Sequence, residues 1–178
     1  MSHPLDFIPS PSRKKIFLSL LALTLVLVGA FRFLDAPLRN PVSPSGIVSF
    51  ELAGTVEKAN TIMESWDSRA QLFAAFGLGF DYLFLVVYGL TISLGVLMAA
   101  SKHGGKFEKA GAYVGWGVLA ASLFDALENL ALWRLLSGWA APHCPAVAAI
   151  SAKVKFFLLA LGLGFAFVGW LWKKKDKQ

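Results

Sequence analysis

Cysteine is nearly missing from the chain: Cys144 is the only one in 178 residues. That excludes an intrachain disulfide, a CxxC redox pair and a thiolate zinc site. Histidine is scarce too, and His3, His103 and His143 all lie outside the long apolar runs, so a haem held between helices would have no usual ligand. No HExxH, P-loop, Rossmann glycine pattern or GxSxG occurs. His143 beside Cys144, with Asp67 or Glu64 as oxygen donors, is too sparse a pattern for a metal site and reads as an ordinary loop. No metal or cofactor is expected. Internal repeats are also lacking, since GLGF at 77–80 and 162–165 is too short a match to mark a duplication.

What is abundant is apolar surface. The chain is 56% hydrophobic with a mean hydropathy of +0.61, which places it among membrane-embedded proteins. A net charge of +6 on a soluble face would point to nucleic acid. Here the basic residues gather in short segments beside apolar runs, where they set membrane orientation, and no nucleic-acid partner is expected.

Four runs are long enough to span, at about 16–34, 72–100, 110–136 and 146–172. The fold class expected is an all-α antiparallel bundle of four transmembrane helices, forming one domain over 1–178. Residues 1–15, with Pro4, Pro9, Pro11 and Arg13-Lys14-Lys15, read as a mobile basic lead-in. A cleaved signal peptide is the alternative for the first run, because Val28-Gly29-Ala30 loosely fits a cleavage site. Pro37, Pro41 and Pro44 make 35–45 a non-helical loop. Leu52, Val56, Ala59, Met63 and Trp66 then recur at helical spacing, with Glu51, Glu57, Lys58 and Glu64 on other faces. This predicts one amphipathic helix over about 50–66, lying at the outer surface with Trp66 as interfacial anchor. Asp67 or Ser68 is the candidate N-cap of the next helix.

With four spans, the basic N-terminus, the 101–109 loop and the Lys173–Lys177 tail fall on one side, which predicts cytoplasmic N and C termini. Trp116, Trp170 and Trp172 then mark the inner interface, and Trp66, Trp133 and Trp139 the outer one. The charge pattern fits a bacterial inner membrane.

The stretch that asks for a chemical explanation is Ser122–Arg134, SLFDALENLALWR, which puts Asp125, Glu128 and Asn129 inside a span. Counted at 1.5 Å per residue from the cytoplasmic ends, Asp125 lies about 22 Å up, Lys155 about 26 Å, Glu128 about 27 Å and Asp81 about 28 Å. In a core of about 30 Å that is one layer in the outer third. Helical spacing puts Ser122, Asp125 and Asn129 on one face, and Asp81, Tyr88, Thr91 and Gly95 on another. Lys155 shares a small-residue face with Ser151, Gly162, Ala166 and Gly169, whereas Lys153 points away. Gly111-x-x-x-Gly115 predicts close helix packing. Arg134 reads as an outer-surface anchor.

Two readings of the layer follow. In one, Lys155 pairs with Asp125, Glu128 or Asp81 and Asn129 bridges helices, a clasp that fixes the bundle. In the other, excess carboxylate forms a pocket for a lipid-like or cationic small molecule, or for a partner's helix. An acid–base enzyme acting on an amphipathic lipid and a proton-linked carrier are the alternatives from other classes, with Asp125 and Glu128 as their working acids. No polar pathway crosses the cytoplasmic half, which counts against the carrier.

Four spans with an amphipathic segment after the first resemble the vitamin K epoxide reductase bundle, but that family works through cysteine pairs that this chain lacks. Intramembrane acids in a small bundle are similar in layout to the emopamil-binding sterol isomerases, where an acid and aromatic residues surround a lipid amine or carbocation. No motif of that family is matched, and no residue role is carried across.

Overall fold

The structure, a computed structural model, describes residues 1–172. The basic tail Lys173–Lys177, expected to close the fourth span, lies outside the described residues. The described residues are 81% helix, with no strands among them. Its helices are α1 (Ser10–Asp35), α2 (Ile47–Glu51), α3 (Val56–Glu64), α4 (Ser68–His103), α5 (Gly105–Leu136) and α6 (Cys144–Leu171). Four of them, α1, α4, α5 and α6, are long and apolar enough to cross a membrane, consistent with a multi-pass membrane protein.

The helices run past the apolar segments because their polar ends are good helix formers or caps. Pro11 sits in the first turn of α1, where its missing N–H is no loss, and Arg13-Lys14-Lys15 continue the helix. Asp67 caps α4, its Oδ1 accepting from the Ala70 N–H at 2.7 Å. A single residue, Gly104, separates α4 from α5, and the turn uses positive φ at Gly104 and Gly105. Among the long helices α4 is the most enclosed, with 67% of its most apolar window buried against 6% for α1.

By internal contacts the chain divides into two compact units. The first comprises Met1–Thr24, Val86–Ser122 and, among the described residues, 155–172; the second comprises Leu25–Leu85 and Leu123–Val154. The first is packed through small residues. A side-chain carbon at Gly162 would run into Val118 and Ile92, one at Gly111 into Ala100, and one at Gly169 into Ala99 and Phe107. These contacts let helix backbones come close. Thr24 and Thr91 join α1 to α4 by a hydroxyl–hydroxyl hydrogen bond of 2.9 Å. Each hydroxyl also meets a carbonyl four residues earlier on its own helix, Leu20 or Val87.

Residues 1–9 are not a loose lead-in: His3 and Leu5 are buried, and Leu5 packs with Leu94 and Leu97. Gly115 therefore opens space for the His3 ring rather than for a neighbouring helix.

The second unit holds the long connection from α1 to α4. The single helix expected over 50–66 is replaced by α2 and α3, broken at Gly54 with φ +73°. Thr55 then caps α3 by accepting from the Lys58 N–H. The break changes which residues are covered: Phe50, Glu51, Ala53, Ala59 and Ile62 are buried, while Leu52 and Val56 are exposed. Trp66 is a core residue here and not an exposed anchor, 3% exposed and edge-on to Phe50. Its Nε1–H donates to the Leu38 carbonyl at 2.8 Å and to Ser43 Oγ at 3.0 Å. The 36–46 segment is held by side chains as well. Asn40 Oδ1 accepts from the Val42 and Ser43 N–H groups, and Asp35 accepts from the Ile47 N–H and from Arg39.

Candidate functional site

The second unit gathers carboxyl groups. On α5, Asp125, Glu128 and Asn129 are 3%, 0% and 3% exposed, so the three polar side chains share the covered side, as three- and four-residue spacing requires. The opposite side presents Leu123, Leu127, Leu130 and Trp133 outward. The covered side thus carries these polar groups beside Leu132 and Leu135, while the outward side of this stretch is largely apolar, unlike the exposed side of a helix in a soluble protein.

Asp81 of α4 is half-buried and meets α5 through Asn129, whose Nδ2 donates to Asp81 Oδ2 at 2.7 Å. A second link between the same helices runs from the Tyr82 hydroxyl to the Ala126 carbonyl at 3.2 Å. Ser151 of α6 is buried in this unit as well. α2 adds Glu51, 8% exposed, a carboxyl that sequence reasoning left on a solvent-facing side. The signal that would have moved it is Gly54-Thr55, a break and cap that ends one helix and restarts another.

Within the second unit, every Lys and Arg, namely Arg32, Arg39, Lys58, Arg69, Arg134 and Lys153, is exposed. Its buried formal charge is therefore of one sign. The remaining two sequence candidates, Tyr88 and Lys155, belong to the first unit and are buried there at 5% and 6% exposure. Lys155 Nζ lies 4.8 Å from the centroid of the Phe156 ring, within cation–π range. The structure thus joins Asp81 to Asn129 directly and puts Asp125 and Glu128 on the same covered side of α5.

No group of three or more His, Cys, Asp or Glu residues converges to hold a metal ion among the described residues. His143 is exposed while Cys144 is buried, so the adjacent pair faces different surroundings.

The described residues form an all-helical protein with four helices long and apolar enough to cross a membrane. Compared with protein-family models, curated proteins and solved structures, the chain matches none. The function has to be argued from its own side chains.

Proposed function

We propose that the chain is a multi-pass protein of a bacterial inner membrane, its N and C termini cytoplasmic. In this reading the four long helices cross as an antiparallel bundle, and α2 and α3 form the amphipathic outer segment. The carboxyl-rich part of the second unit then lies in the outer leaflet, where it binds a lipid-like or cationic small molecule.

The observation that carries this is α5 itself, with Asp125 and Glu128 on its covered side and bare leucine on the other. Leucine facing outward suits hydrocarbon. An aspartate at mid-bilayer costs about 3 kcal/mol on insertion scales, so a helix that keeps such groups gains something from them. The second unit buries the carboxyls of Glu51, Asp125 and Glu128, and its lysines and arginines are all exposed. A cationic headgroup or amine is the ligand chemistry that an acid-rich interior suits. Membrane lipids are the standing partners of such a surface, and a helix of a partner membrane protein offering a basic side chain has the same complementarity.

The Asn129–Asp81 hydrogen bond favours a second reading, in which the polar layer is a clasp holding α4 to α5. Native mass spectrometry of protein released from nanodiscs separates the two. A discrete adduct carried by wild type and lost in Asp125→Asn supports ligand binding, and its mass gives the ligand class. Absence of any adduct, together with a lowered melting temperature in Asp125→Asn, overturns it in favour of the clasp.

A further inference from the structure

The first nine residues are fastened at several points. The His3 N–H donates to Asp6 Oδ2 at 2.9 Å, closing a turn that presents Leu5 to Leu94 and Leu97. Trp116 Nε1–H donates to the Ser2 carbonyl, and Arg13 donates to the Ile8 carbonyl and to Ser101 Oγ. This segment forms one wall of a half-open cavity of about 280 Å³, with Ser2, His3 and Asp6 on its side and Leu97, Glu108 and Lys109 on the other.

His3 is the fastening that depends on protonation. Its Nδ1 accepts the Leu5 N–H at 3.1 Å, so the neutral ring carries its proton on Nε2. The ring is buried and lies against Gly115, where no side chain would fit. A second proton would put an N–H on Nδ1 facing the Leu5 N–H, donor against donor, and would charge a buried ring. We propose that residues 1–9 are a pH-released strap, docked while His3 is neutral and freed when His3 is protonated, which removes that wall of the cavity.

The groups around the ring act on it in both directions. Burial pushes the His3 imidazole down from 6.5 to about 4; Asp6 opposes this, Arg13 adds to it, and the Ser93 carbonyl opposes it. Across the cavity α5 contributes Glu108 and Lys109, one charge of each sign. α4 presents Ser93 and no charge of its own. Because the docked imidazole binds protons less readily than the free one, docking is strongest above pH 6.5 and weakens as pH falls towards 4. Between those limits the docked-to-free ratio falls about ten-fold by pH 5.5.

Hydrogen exchange of the N-terminal peptide in nanodiscs, corrected for intrinsic rates, tests this at a series of pH values. Wild type is expected to lose about ten-fold of its protection between pH 7.5 and 5.5. His3→Gln, whose amide oxygen accepts the Leu5 N–H and does not titrate, is expected to stay protected at both. A flat wild-type profile, or the same fall in His3→Gln, overturns the proposal. Should His3→Gln be unprotected throughout, the wild-type onset decides: a fall starting near pH 6.5 upholds the strap, and one starting only below about pH 5, in the carboxyl range, overturns it.

Discussion

The two units of this chain bury different chemistry. The first closes largely on glycine, alanine and a pair of threonine hydroxyls, with Lys155 as its buried charged side chain, and the second on carboxyl groups and an indole held by a loop. Small residues bring backbones together without taking charge out of water. Carboxyl groups give specific hydrogen bonds but bring a desolvation cost that packing alone does not repay. The first unit therefore has the means for close assembly and the second the means for selectivity. Substitutions that transfer one kind of chemistry to the other test how far this distinction holds.

The largest effect is expected at Trp66. Replacing it by Ala removes a buried ring and both acceptors' donor, and should lower stability by about 3–5 kcal/mol, read by reversible unfolding in mild detergent titrated with SDS. Trp66→Phe keeps most of the packing and should lose only the two hydrogen bonds. Equal losses for the two variants would mean that the 36–46 segment is held by the indole N–H and not by the ring. In the first unit, Gly162→Leu drives a side chain into Val118 and Ile92 and should cost about 3 kcal/mol by overpacking. An unchanged melting temperature for Gly162→Leu would show that the close approach is not needed, and the contrast between the units would weaken.

Asn129→Ala comes next. It leaves Asp81 without the 2.7 Å hydrogen bond and should cost about 1.5 kcal/mol, near the upper end for such bonds in membrane proteins. Paired with Asp81→Ala in a double-mutant cycle, the coupling energy reports the bond itself. A coupling near zero would remove the clasp reading and leave the carboxyl layer without a structural role.

Helical periodicity made much of this legible from sequence. Ser122, Asp125 and Asn129 fall on one side because three- and four-residue spacing is a property of the helix alone, and all three are buried; Glu128, which that face did not include, is buried as well. The same spacing separated Lys155 from Lys153, and the first is buried while the second is exposed. What stayed hidden depends on contacts between distant segments. Glu51 was assigned outward because one helical register was carried through Gly54, where the chain in fact breaks. Trp66 resembles an interfacial anchor until the Leu38 carbonyl and Ser43 hydroxyl are brought to it by a loop whose own order comes from Asn40 and Asp35. Prolines and basic residues made 1–15 look mobile, and nothing local shows that Gly115 leaves room for His3.

The smallest expected effect sharpens the comparison most. Thr24→Val preserves shape and removes the hydroxyl that meets Thr91 at 2.9 Å. Each threonine hydroxyl already has a carbonyl acceptor on its own helix, at 2.8 Å for Leu20 and 2.7 Å for Val87. Thr91 therefore keeps a partner when Thr24 is lost, and no buried donor is stranded. The cost should be about 0.6 kcal/mol, the average for side-chain hydrogen bonds inside membrane proteins and well below that of Asn129→Ala. If Thr24→Val and Asn129→Ala prove equally costly, the hydroxyl pair and the amide–carboxyl pair would be doing the same work, and the proposed division between close packing and selectivity would have to be abandoned.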